Sequence, residues 1–113
     1  MTSASLREVM LAQIKERPFQ RQVIEWMRRY GWELISANND SRSIWWATDR
    51  GLPDLIAVRP PRLLFAELKT EHVKRGNEPA HQQRWLRALQ RCHGVEAYCW
   101  RPSDELDIKR ILT

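Results

Sequence analysis

The chain carries only two cysteines, Cys92 and Cys99, and neither belongs to a short metal-type pair. That scarcity argues against a disulfide scaffold and against a zinc site. Both thiols read as reduced packing residues of a cytoplasmic protein, one in a helical pattern and one in a strand pattern. No apolar run approaches the length of a membrane span, and the amino terminus lacks the apolar stretch of a signal peptide. A soluble cytoplasmic chain without a membrane partner is therefore expected. Repeats and low-complexity tracts are missing too. Lysine is scarce: Lys15, Lys69, Lys74 and Lys109 stand against fifteen arginines.

What is present fits one domain over residues 1–113. Apolar residues make up 42% and charged residues 29%, which is a folded rather than a disordered composition. Six tryptophans must fill much of a core or of a contact surface. The formal net charge of +5 favours polyanionic partners. The dominance of arginine sharpens this, because guanidinium forks match phosphate oxygens bidentately. A solvated basic surface is the plainer alternative.

Ser5 to Glu8 has capping-box spacing, followed by Leu6, Val9, Met10 and Ile14 at helical intervals. Pro18 interrupts this pattern or kinks it. Phe19, Val23, Trp26, Met27 and Tyr30 then mark one helix face, and Gly31 is a natural stop. Residues 32–37 read as a strand. Residues 38–51 form a long polar loop, of a kind more often functional than decorative. Residues 53–58 and 63–70 read as two buried strands joined by the Arg59-Pro-Pro-Arg62 turn. A helix is expected over 80–92 with Trp85, Leu86 and Leu89 inward, then a strand over 95–100. Ser103 is expected to cap a short terminal helix. The sum is an α/β sandwich with a small mixed sheet flanked by helices, in the order α-β-β-β-α-β-α.

The chemistry concentrates in Gly51-Leu-Pro-Asp54 and Phe65-Ala-Glu67-Leu-Lys69. Positions i and i+2 of a strand share a face, so Glu67 and Lys69 point the same way. Pairing about the Pro60-Pro61 turn would set Asp54 across from them. Two carboxylates and an amine would then meet in an oily sheet, where charge is costly unless paired or bound to a metal. Magnesium suits such a pair, because it takes a few carboxylate oxygens and keeps water and phosphate in the rest of its shell. Lys69 could position an attacking water or stabilise developing negative charge. A structural ion pair at a sheet edge is the competing reading.

Pro53-Asp54 followed by Glu67-Leu-Lys69 resembles the signature of the PD-(D/E)xK nucleases, whose core is restriction-endonuclease-like. The fuller pattern is similar to the VRR-Nuc branch, the virus-type replication-repair nuclease domain. It includes Phe19-Gln20, Gly31-Trp32, Asp40-Ser41-Arg42, Gly51 to Leu55, Phe65 to Thr70, Gln82, Trp85-Leu86, Leu89 and Trp100 to Asp104. The match runs from about Glu16 to the carboxyl terminus. The resemblance implies a DNA endonuclease dependent on Mg2+ or Mn2+ that leaves a 5′-phosphate and a 3′-hydroxyl. It implies Asp54, Glu67 and the backbone carbonyl of Leu68 as metal ligands, with Lys69 serving the water. It also implies a glutamate from the first core helix, for which Glu16 is the choice and Glu25 the alternative. Where such proteins often carry a histidine, this chain has Ser36-Ala37-Asn38. His72, His81 and His93 have no metal-ligand spacing and read as surface residues.

Gln82 falls in line with Leu86 and Leu89, so it joins the inward stripe while being polar. Its amide could reach the catalytic pocket or a phosphate, or could cap the helix; Gln83 would face solvent. Arg42, Arg50, Lys74 and Arg75 are candidates for phosphate contacts. Trp45 and Trp46 could stack on bases or pack a loop or a dimer interface. Standalone VRR-Nuc proteins resemble junction-resolving enzymes, so the resemblance implies branched DNA as substrate and a homodimer, whose two-fold symmetry suits two cuts. The alternatives are a nickase or flap nuclease of the same fold, and a catalytically silent DNA-binding protein.

Overall fold

The computed structural model describes residues 3–36, 51–74 and 78–113. Along these the order is α1 (Ser3–Ala12), α2 (Glu16–Arg29), β1 (Glu33–Ser36), β2 (Leu55–Arg59), β3 (Arg62–Leu68), α3 (Ala80–Gln90), β4 (Val95–Trp100), a single 3₁₀ turn (Pro102–Asp104) and α4 (Glu105–Leu112). This is an α/β fold on one mixed four-stranded sheet, with an additional helix ahead of the expected series.

The sheet order is β1-β2-β3-β4. The first two pairings are antiparallel and β3–β4 is parallel. Pairing of Arg59 with Arg62 leaves Pro60 and Pro61 as the tip of the hairpin, where proline's missing N–H disturbs no ladder. The parallel step from β3 to β4 needs a crossover, and α3 supplies it.

Helix α2 shows how sequence period becomes packing. Phe19, Val23, Trp26 and Met27 recur at i, i+4, i+7 and i+8 and are all buried. They meet the alternating sheet residues Leu55, Ala57, Leu64, Ala66, Leu68 and Trp100, with Ile108 and Leu112 of α4 closing the layer. Burying each large side chain contributes about 1.5–3 kcal/mol. Helix α3 covers the other face less completely: Trp85, Leu86 and Leu89 are half-buried and no residue of this helix is fully buried.

Several boundaries differ from expectation for identifiable reasons. Trp32 belongs to the helix end, not to the strand. Gly31 adopts φ +84°, the N–H of Trp32 donates to the Met27 carbonyl at 2.9 Å, and that of Gly31 to Arg28 at 3.1 Å. This is a Schellman closure. Ser5 lies inside α1, which starts at Ser3, so it is not the expected cap. Only Ile14 of the apolar series beginning at Leu6 packs against the core, while Leu6, Val9 and Met10 are exposed. Ser103 does not cap α4 either. The Arg101 N–H donates to Asp104 Oδ2 at 2.8 Å, and the Ser103 N–H donates to Glu71 Oε1 at 2.6 Å.

Three arginines are consumed by the fold itself. Arg62 grips Glu96 with two hydrogen bonds of 2.7 Å, holding that carboxyl below its ordinary range. Arg59 donates to the carbonyls of Tyr30, Leu112 and Thr113, pinning the carboxyl end. Both guanidinium carbons stand 4.8 Å from the centre of the Trp32 ring, a cation–π arrangement. Arg101 is the third and lies at the other end of the sheet. Among the described residues no helix is long and apolar enough to cross a membrane.

Candidate active site

Pro53 cannot donate to a ladder, and β2 begins only after Asp54, at Leu55. Lys69 likewise falls just beyond the end of β3 at Leu68. The expected strands were thus longer than those formed, by two residues at each of these ends. Asp54 and Lys69 sit where chain leaves the sheet. Pairing of Leu55 with Ala66 continues to Asp54 beside Glu67. The two acidic residues therefore meet at one end of the sheet, opposite the proline hairpin.

Asp54 is 4% exposed and Glu67 5%. The Leu68 N–H donates to Asp54 Oδ2 at 2.9 Å, which fixes the aspartate to the backbone next to Glu67. The Lys69 N–H donates to the Trp100 carbonyl at 2.9 Å, tying the end of β3 to the end of β4. The Glu67 carboxyl is pushed up to about 9. Burial is the main cause; a hydrogen bond to Asp54 and the charge of Asp54 add to it, and Glu16 contributes further. Lys69 acts in the opposite direction. Two carboxyls in so dry a setting cannot both be charged without a cation.

A cleft of about 200 Å³ opens beside this pair, lined by Glu67, Gln82 and Cys99 among others. Gln82 projects into it from the first turn of α3. Its Oε1 is buried without a hydrogen-bond partner among the described residues. Such an orphaned acceptor is costly, by about 1–3 kcal/mol, unless a ligand satisfies it. Gln83 departs from its expected solvent position: it is half-buried and donates to the Glu78 carbonyl, because the chain ahead of α3 folds back over this helix face.

The first-helix candidates separate. Glu16 heads α2 and lies close enough to raise the Glu67 carboxyl. Glu25 is 63% exposed and faces Arg29 one turn on at 3.5 Å, as a solvated helix residue does. Among the described residues no three of His, Cys, Asp and Glu converge as a metal cage. The donor set on offer is instead a crowded acidic pair with a neutral amide oxygen in the same cleft. That set fits a hard divalent cation, which accepts carboxylate and amide oxygens and retains water.

Gly51 locks the segment carrying Asp54 against α3. Its φ is +106°, and a Cβ placed there would overlap the His81 carbonyl oxygen, lying 2.7 Å from the carbonyl carbon and 2.9 Å from Trp85 Cδ1. Only glycine permits that approach.

Lys74 is exposed on the connection after β3. Arg42, Trp45, Trp46, Arg50 and Arg75 lie outside the described residues. Cys92 is exposed rather than packed, and Cys99 lines the cleft, where burial pushes its thiol up. The cysteines are both free.

Arg101 and Glu78 are what sequence reasoning missed. Arg101 is 3% exposed. Its Nη2 meets Glu78 Oε1 at 2.9 Å and its Nε donates to the Val73 carbonyl at 2.8 Å. It clamps both ends of the connection between β3 and α3 beside the cleft. The signal was a charged residue directly after the apolar end of the strand Val95–Trp100; its partner was hidden in a stretch that reads as solvated.

The chain matches no family model, no curated protein and no solved structure. Its function is therefore argued from its own residues.

Proposed function

We propose that the protein is a DNA endonuclease of the PD-(D/E)xK type, similar to VRR-Nuc domains, working with Mg2+ or Mn2+. The meeting of Asp54 and Glu67 at the sheet end, with Lys69 acting on the same carboxyl, carries the reading. A purely structural pair would not need two buried acids pressed together, nor a buried amide oxygen left without a partner beside them.

Asp54, Glu67, the Leu68 carbonyl and, from α2, Glu16 would hold the cation. When bound it supplies a Lewis acid for the scissile phosphate and lowers the pKa of the attacking water. Lys69 places an ammonium at the edge of the acidic pair, where it orients that water and offsets charge growing on the phosphate oxygens. Gln82 offers its amide to a phosphate oxygen or water from the opposite wall. The water oxygen bonds to phosphorus, the bond to the 3′ oxygen breaks, and that oxygen leaves with a proton as a 3′-hydroxyl. The other fragment keeps the 5′-phosphate.

The substrate class we favour is branched DNA, cut by a homodimer during replication, repair or recombination. A formal charge of +5, with fifteen of the nineteen cations arginine, supports a polyanionic substrate. Labelled four-way junctions, flaps, plain duplex and RNA, each incubated with Mg2+, Mn2+ or EDTA, test this. Junction cleavage only with metal is the expected result. Preference for flaps or single nicks in duplex would move the protein to a flap nuclease or nickase, and cutting of RNA alone would overturn the DNA assignment. Binding without cleavage in either metal would leave a catalytically silent DNA-binding protein.

A further inference from the structure

Arg84, Arg87 and Arg91 stand at i, i+3 and i+7 along α3 and its C-cap, so they share one helix face. All three are exposed. Two arginines near the sheet have carboxylate partners: Arg62 holds Glu96 and Arg101 holds Glu78. None of the ion pairs among the described residues includes Arg84, Arg87 or Arg91. Arg87 has one weak neighbour, Gln83 Oε1 at 3.3 Å. Glu78, which lines the same side of α3, is held by Arg101 at 2.9 Å.

The position of this face matters more than its charge. The three arginines line a groove of about 440 Å³ along α3. Glu78, Gln83 and Arg87 line both that groove and the cleft at Glu67 and Gln82. The groove and the cleft thus adjoin along these three residues. Arg84 to Arg91 spans about 10 Å of helix axis, enough for two or three successive phosphates of one strand at about 3.4 Å of rise each.

We propose that the α3 face of Arg84, Arg87 and Arg91 is a track for the DNA phosphate backbone, guiding a strand out of the cleft at Glu67. This rests on the nuclease reading for what the cleft does, but the track itself binds DNA whether or not the cleft cuts. Phosphate contacts of this kind fix register and carry no base sequence. Guanidinium is suited to them, since its fork meets two phosphate oxygens at once.

Binding of a fluorescein-labelled four-way junction and a plain duplex, measured in EDTA over a range of potassium chloride, provides the test. Three proteins are compared: wild type, a triple variant with Arg84→Gln, Arg87→Gln and Arg91→Gln, and a control with Arg21→Gln, Arg28→Gln and Arg29→Gln. The control removes the same charge from exposed positions of α2. Each lost phosphate contact lowers the slope of log K against log salt by about 0.9. The α3 variant should lose about 2–3 in slope and bind roughly tenfold more weakly at moderate salt, equally for all sequences. The α2 control should keep a slope near that of wild type, and lysine at the three α3 positions should restore most of it. An α3 variant with an unchanged slope, or one that falls no further than the control, overturns the track, as does a wild type that binds no DNA. Because the readout is made without metal, a protein that fails to cut with Mg2+ or Mn2+ but shows the α3 effect sinks the nuclease reading alone.

Discussion

Gly51 rests on the backbone of His81 with no room for a Cβ between them. The contact joins two parts of the candidate site that are distant in sequence: the lead into Asp54 and the first turn of α3, which carries Gln82. Gly51→Ala must push α3 away or rotate the segment, at a φ of +106° that L residues rarely adopt. Displacement near 1 Å at a catalytic centre can cost about 100-fold in rate. Gly51→Ala is expected to lose at least roughly tenfold in cleavage, read by single-turnover kinetics on a junction substrate. Wild-type rates in this variant would show that the contact does not set the site.

The raised carboxyl of Glu67 makes stability depend on pH in the metal-free protein. In the unfolded chain this carboxyl ionises near its ordinary value of 4.5, whereas the folded protein holds the proton up to about 9. The stabilising contribution is therefore fully present below about 4.5 and is lost as pH rises through about 9. The slope between these limits is at most about 1.4 kcal/mol per pH unit, for one proton. Glu67→Gln should flatten that slope and stabilise the protein at alkaline pH. Urea denaturation in EDTA at several pH values checks both; parallel profiles for the two proteins would contradict the assignment.

Arg101 and Glu78 form a nearly buried pair at 2.9 Å. Arg101→Met takes the guanidinium away from the Glu78 carboxylate, and breaking a buried pair from one side costs about 3–5 kcal/mol. Adding Glu78→Gln to the same protein should recover part of the loss by removing the carboxylate charge that Arg101 had balanced. Denaturation midpoints of the single and double variants measure this. A single variant as stable as wild type would mean that the clamp holds nothing.

Much of the fold was legible because its periods are clean. The α2 stripe at Phe19, Val23, Trp26 and Met27 and the strand Val95–Trp100 fall where pattern alone puts them. The α/β class and the mixed sheet follow from that order. The ends were harder to read, because a Schellman closure absorbs Trp32 and because Pro53 and Lys69 fall outside the ladder. Proximity of Asp54 to Glu67 was legible from the hairpin, since Pro60-Pro61 fixes the register. What local pattern could not supply was long-range polar pairing. Arg59, Arg62 and Arg101 looked like any other basic residues, yet carbonyls and carboxylates far along the chain take them up. Part of the arginine excess that points to a polyanion thus serves the fold, whereas Arg84, Arg87 and Arg91 enter none of the ion pairs among the described residues.

The central claim is that Asp54 and Glu67 hold one divalent cation with Lys69 beside it to hydrolyse DNA. Cleavage of a four-way junction by wild type, Asp54→Ala and Lys69→Ala, each with Mg2+, Mn2+ and EDTA and each checked for DNA binding, tests it most directly. Wild type should cut only with metal, and both variants should bind DNA yet cleave at least about 100-fold more slowly. Full activity in EDTA, or in Asp54→Ala, would contradict the account.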